Sequence, residues 1–144
     1  MSVKQISVFL ENRPGCLCEM TKALADGGVD LRGLSLAETS DFGIVRLIVN
    51  DVLNTATVLK SAGFVSSLTD VLAVAVSDTP GGLHRVLELL SEADINVEYM
   101  YAILSGKNSE IAYMIFRVND NAKAESILKS HGIKLVEQAE LSAI

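Results

Sequence analysis

Apolar and polar positions alternate near the start of the chain. Ile6, Val8 and Leu10 fall on one face of an extended segment, which predicts a strand over residues 4–10. A turn follows at Asn12-Arg13-Pro14-Gly15, and the period then changes. Leu17, Met20 and Leu24 recur at helical spacing, and Gly27-Gly28 marks the stop. Pro14 suits the first position of that helix, where a missing N–H is harmless. Residues 31–39 and 43–50 read as a hairpin around Ser40-Asp41-Phe42. Asp51 is placed to cap a second helix, with Val52, Ala56 and Leu59 inward and Gly63 closing it. Residues 64–70 return as a last strand.

The pattern then repeats. Arg13-Pro14-Gly15-Cys16-Leu17 reappears as Thr79-Pro80-Gly81-Gly82-Leu83, 66 residues on (80 − 14). The same offset carries Ile6, Val8 and Leu10 onto Leu72, Val74 and Val76, and Val29-Asp30-Leu31 onto Ile95-Asn96-Val97. Further on, Val49-Asn50-Asp51 matches Val118-Asn119-Asp120 at an offset of 69 (118 − 49). The second copy thus holds three extra residues (69 − 66), placed around Ser105-Gly106-Lys107-Asn108. Its expected elements are a strand over 71–77, a helix over 80–93, strands over 96–104 and 110–118, a helix over 120–131 and a strand over 132–138.

Each copy is a βαββαβ unit. That order predicts an α+β fold, with an antiparallel sheet carrying both helices on one face, the ferredoxin-like arrangement. The expected domains are residues 1–70 and 71–144. Residues 71–76 and 111–116 are apolar almost without alternation, as in strands buried on both faces. Something must cover the helix-free face, either the other repeat or a second chain, and a homodimer is expected.

Composition narrows the picture. Hydrophobic residues make up 49% of the 144 and charged residues 21%, enough for a packed core and against disorder. The net charge of −6, with no cluster of Lys or Arg, disfavours nucleic acid. No segment reaches the roughly 18 apolar residues that cross a bilayer, and the start of the chain lacks a signal-peptide core. The expected location is the cytoplasm. Cys16 and Cys18 point to different sides of a helix and read as reduced thiols. Without other cysteines nearby they make no metal site, and no cofactor is implied. His84 and His131 read as surface residues.

Asn12-Arg13-Pro14-Gly15-Cys16-Leu17 fits a pattern Asn-x-Pro-Gly-x-Leu after a first strand, and a short strand opens with Asp30 or Asn96. In this the chain resembles the ACT domain, in particular small stand-alone tandem ACT proteins. The resemblance implies a ligand-sensing module, usually for amino acids. It implies pairing side by side, and an effector site built from the first strand–helix loop and the second strand of a neighbouring domain. On that basis residues 12–17 together with Asp30 and Leu31 are the expected site of the first copy. The second copy departs from the pattern, with Asp78 where the family has Asn. Two such units fill the sequence and leave no room for a catalytic domain.

The chemistry of the loop agrees. Gly15, Cys16 and Leu17 would present the unpaired N–H groups of a helix start, a seat for a carboxylate. The Asn12 side chain offers donors and an acceptor. In the second copy the Thr79 hydroxyl is expected to cap the N–H of Gly82, whereas Arg13 cannot accept a hydrogen bond, so the first loop is the expected working site. Glu38 is a candidate for an ammonium group. Tyr99 and Tyr101 share a strand face and are candidates to line a pocket. Plainer roles stand beside these: Asn and Asp before helices are common turn residues, Glu38 is a strand-end carboxylate, the tyrosines are interface aromatics, and Arg13 is a solvated side chain.

The functional expectation is a non-enzymatic sensor of amino-acid metabolism with an amino-acid effector. A subunit regulating a biosynthetic enzyme in trans is one alternative. A small acyl-phosphate hydrolase using Arg13 is another, and the acidic charge and sparse aromatics disfavour an RNA-binding module of the same fold.

Overall fold

The computed structural model describes residues 2–103 and 110–143. The elements run β1 (Val3–Glu11), α1 (Cys16–Asp26), β2 (Leu31–Glu38), β3 (Phe42–Val49), α2 (Val52–Ser61), β4 (Val65–Ser77), α3 (Gly82–Glu92), β5 (Val97–Ala102), β6 (Ile111–Val118), α4 (Asn121–Ser130), β7 (Leu135–Val136) and α5 (Gln138–Ala143). The chain divides into two compact units, residues 4–69 and the chain from Asp70 onward with the first three residues. The extra residues around Ser105-Gly106-Lys107-Asn108 lie outside the described residues.

In the first unit β3 lies between β1 and β2, antiparallel to both. The pairs Ile6↔Leu47, Val8↔Val45 and Leu10↔Gly43 put alternate residues of β1 and β3 on one face. Ile6, Val8, Val45, Leu47 and Val49 pack there against Met20 and Leu24 of α1 and Leu59 of α2. Burying each such side chain contributes about 1.5–3 kcal/mol. The buried stripe of α1 is Cys16, Met20 and Leu24. Leu17, expected inward, is 37% exposed. The helix starts at Cys16 rather than Pro14, and its buried stripe runs at i, i+4 spacing through Cys16, Met20 and Leu24. On α2 the buried residues are Thr55 and Leu59; Val52 packs half-buried against the same core, as expected, and Ala56 is half-buried. Thr55 satisfies its hydroxyl on the Asp51 carbonyl at 2.7 Å.

In the second unit β4 pairs with β6 and β7, and β6 with β5, all antiparallel. Leu72, Val74 and Phe116 form the core with Val86 and Leu90 of α3 and Leu128 of α4. Three expectations change. Residues 64–70 and 71–77 run together as one strand over Val65–Ser77: Ser66, Ser67 and Asp70 are turn-forming types, but neither Pro nor Gly interrupts the run. The last strand, expected over 132–138, keeps only Leu135 and Val136, and the helix-forming stretch from Gln138 to Ala143 makes α5. Of the two strand runs expected to be buried on both faces, Val71–Val74 is buried, whereas Ile111 to Met114 are only half-buried.

The repeat is visible in the hydrogen bonds. Asp51 Oδ1 accepts from the N–H of Asn54 at 3.0 Å, and Asp120 Oδ1 from that of Lys123 at 3.0 Å. Each caps its helix. Asn50 Oδ1 accepts from the N–H of Asp30, and Asn119 Oδ1 from that of Asn96, both at 3.0 Å.

Candidate functional site

The turn between β1 and α1 is built by the backbone. Gly15 lies at φ 89°, in the left-handed region open to glycine, and no side chain caps the helix. The helical ladder begins with Glu19 N–H donating to the Gly15 carbonyl at 2.9 Å, and Cys16 N–H reaches back to the Arg13 carbonyl at 3.4 Å. The Cys16 N–H, expected to be unpaired, is thus engaged within the turn, while the helix end still carries the positive end of its dipole.

Beside this helix start lies a cavity of about 180 Å³. Glu11, Asn12, Arg13 and Glu38 supply its polar lining, Leu10, Cys16, Leu17 and Leu36 its apolar lining, and Gly43 completes it. The sheet register explains the grouping. Leu10, Gly43 and Glu38 form one cross-strand row, on the helix-bearing face. Gly43 puts no side chain in the middle of the row, and the Leu36 tip lies over it: a Cβ there would stand 3.2 Å from Leu36 Cδ1.

Asn12 fixes the loop to the hairpin. Its N–H donates to the Asp41 carbonyl at 3.0 Å and its Nδ2 to the Thr39 carbonyl at 3.2 Å. Arg13 is tied as well, its Nε donating to Glu11 Oε2 at 3.0 Å and its Nη2 lying 3.9 Å from Glu19 Oε2. The hydrogen bond to Glu11, then the nearby Cys16 and Glu19, hold the Arg13 guanidinium above its ordinary pKa. Asn12, Arg13, Cys16, Leu17 and Glu38 thus come together around one cavity, with Pro14 and Gly15 in the turn beside it.

The other expected residues lie elsewhere. Asp30 and Leu31 open β2 at the end opposite Glu38, roughly 25 Å away along an extended strand. Asp30 is engaged by Asn50 and, at 3.2 Å, by Arg32, while Leu31 packs on the core. Asn96 repeats the Asp30 arrangement in the second unit. Tyr99 and Tyr101 are half-buried on β5, on the face opposite Met100, which packs against the core. Asp78 donates its N–H to the Glu110 carbonyl at 2.9 Å and borders a cavity of about 590 Å³ with Ser77, Thr79 and Lys134.

Thr79 is a correction. Its hydroxyl bonds the Ser77 hydroxyl at 3.0 Å and does not cap α3. Gly82 N–H donates instead to the Thr79 carbonyl at 3.0 Å. Both helices start on a left-handed glycine without a side-chain cap, Gly81 at φ 87° matching Gly15. The expected difference in capping between the loops therefore disappears. Another difference replaces it. Gly82 stands where the first copy has Cys16, and a Cβ on Gly82 would fall 2.0 Å from the Ser77 carbonyl oxygen. The second helix start is pressed against its strand, while the first leaves room for the Cys16 side chain.

Leu10, Glu11, Leu36 and Gly43 of the cavity were not singled out from sequence. Their signal was the hairpin register, which places Gly43 opposite Glu38. Among the described residues no group of three or more His, Cys, Asp or Glu side chains is placed to hold a metal ion. Among them, too, no helix is long and apolar enough to cross a membrane.

The sequence profile of the ACT domain pair matches residues 1–144. The chain belongs to the ACT domain pair family. Its fold recurs in a protein of Bacteroides thetaiotaomicron of solved structure, 35% identical, with a TM-score of 0.92 over 100% of this chain and 98% of that one. Two more distant structures are regulatory subunits of aspartate kinase. That of Thermus thermophilus, in a ligand-free form, is 16% identical with a TM-score of 0.64, and that of Thermus flavus 17% identical with a TM-score of 0.57; each match covers 88% of both chains. At these identities the likeness is one of fold. No curated protein matches. Within this ACT pair the loop bearing the Asn-x-Pro-Gly-x-Leu pattern is the one with Asn12 bonded to the hairpin and the Leu10–Gly43–Glu38 row beneath it.

Proposed function

We propose that this ACT pair is a regulatory protein of amino-acid metabolism that binds an amino acid at the cavity of residues 4–69 and does no chemistry on it. The observation that carries this reading is the meeting of a helix start with the Glu38 carboxylate across one small cavity. A zwitterion has the matching charges, its carboxylate suited to the helix N-terminus and its ammonium to Glu38. The protein acts in the cytoplasm as a homodimer. A neighbouring domain supplies further strand residues to the site, Asp30, Asn96, Tyr99 and Tyr101 being the candidates, and Asp78 marks the corresponding loop of the second unit. Ligand binding favours one domain arrangement over another, and a biosynthetic enzyme reads that shift in trans.

The rival reading, acyl-phosphate hydrolysis, needs an arginine free to hold the anion. Arg13 is already engaged by Glu11 at 3.0 Å and approached by Glu19 at 3.9 Å, which favours the sensor.

Thermal unfolding with each of the twenty amino acids tests the proposal. A ligand present at 100 times its Kd adds about 2.7 kcal/mol, or roughly 5–10 °C at this size. A flat response to all twenty would sink it.

A further inference from the structure

We propose that Leu36 and Gly43 set the size limit of the first unit's site, and that its effector is an α-amino acid with a short, uncharged aliphatic side chain. This rests on the amino-acid reading above and goes further by naming the class. The cavity, at about 180 Å³, is smaller than the ~300–1,000 Å³ typical of pockets for drug-sized ligands. Its charged positions are spoken for by the backbone of the ligand. Arg13 is occupied by its own carboxylates, and Glu38 is the carboxylate left on the opposite wall, with no cation paired to it among the described residues. Within this unit, what remains for a ligand side chain is the surface of Leu10, Leu17 and Leu36 over Gly43. A charged or long polar group placed there would lose water without gaining a partner.

The size limit follows from the contact between the two residues. Leu36 Cδ1 lies 3.2 Å from where a Gly43 Cβ would be. The leucine tip therefore closes the space that the glycine opens, and a larger ligand side chain must displace it. Leu36 is 55% exposed, so trimming it removes little packing. The corresponding positions of the other repeat hold Ala102 and Ala112, at offsets of 66 (102 − 36) and 69 (112 − 43), so the fold accommodates alanine at both places.

Calorimetric titration of wild type, Leu36→Ala and Gly43→Ala with alanine, valine, leucine and phenylalanine tests the inference. One methylene in an apolar pocket discriminates by about 10- to 200-fold. Wild type should bind one of the smaller amino acids at least about tenfold more tightly than phenylalanine. Leu36→Ala should shrink that preference by about tenfold, and Gly43→Ala should weaken every ligand by a similar factor. Should wild type bind an amino acid while Leu36→Ala leaves the size preference undiminished, the size limit is wrong and the amino-acid site stands. Should none of the twenty bind wild type, the underlying reading falls and this inference with it. If Gly43→Ala does not fold, the exposed Leu36→Ala decides alone.

Discussion

The side-chain amide of Asn12 donates to the carbonyl of Thr39 at 3.2 Å, joining the loop before α1 to the tip of the β2–β3 hairpin. The bond holds the helix start and Glu38 at a fixed separation. The second unit has Asp78 at the matching position and keeps only the backbone half of the arrangement. Asn12→Asp should therefore fold. It exchanges a donor for a carboxylate facing a carbonyl oxygen, so it should lose about 0.5–1.5 kcal/mol, or roughly 2–4 °C per kcal/mol in Tm. Effector binding should weaken as well. A Tm and an affinity both equal to wild type would show that the loop holds its place without Asn12.

Two glycines at the helix starts should both destabilise the fold when replaced, for different reasons. Gly15 has open space where a Cβ would go, but φ is 89°. Gly15→Ala should cost about 1–2 kcal/mol, the penalty of a side chain in the left-handed region. In Gly82→Ala the new Cβ would lie 2.0 Å from the Ser77 carbonyl oxygen, a backbone atom that cannot swing aside. The strand end or the helix must move, and overpacking of this kind costs about 1–3 kcal/mol or more. Urea midpoints measure both, and Gly82→Ala should be the worse.

What could be read in advance follows from where the information lies. The tandem βαββαβ order was legible because hydrophobic period and turn residues are local signals, and two copies in register reinforce them. Asp51 was equally legible as a cap, since capping needs only a side chain three residues from its donor, and Asp120 repeats its geometry. The unbroken β4, the two-residue β7 and α5 were not. Pairing partners far along the chain decide where a strand stops. The site divided in the same way. Residues 12–17 announce themselves by pattern. Leu36 and Gly43 join them through cross-strand register, and the Thr79 hydroxyl turned to Ser77 because a nearer partner was available.

The helix caps should carry equal weight in the two units. Asp51 and Asp120 accept from the N3 amides at the same 3.0 Å, so Asp51→Ala and Asp120→Ala should each cost about 1 kcal/mol. Chemical denaturation of the two single variants checks this. A difference of more than about 1 kcal/mol between them would mean that the repeats are not energetically equivalent at these helices.

Arg13→Ala separates binding from stability. The guanidinium and its partners Glu11 and Glu19 are solvent-exposed, and exposed ion pairs add little to folding because water and salt screen them. Tm should stay at the wild-type value, while effector affinity should fall because Arg13 lines the cavity. Glu11 and Glu19 raise the Arg13 pKa. The stabilisation tied to a raised pKa is complete below the unfolded value and disappears only as pH climbs through the folded one. For an arginine that window lies far into alkali. Neither stability nor binding should change near neutral pH through this group.

Cys16 and Cys18 offer a direct reading of site occupancy. Cys16 is 6% exposed and lines the cavity, whereas Cys18, two residues on, is exposed and outside it. Thiol alkylation followed by mass spectrometry should label Cys18 quickly and Cys16 slowly, since a reagent reaches Cys16 only through the cavity or by local opening. A saturating effector should slow labelling of Cys16 further and leave Cys18 unchanged. Equal protection of both thiols would point to a global stabilisation of the fold. Protection of neither, at a ligand concentration that raises Tm, would place the effector somewhere other than beside Cys16.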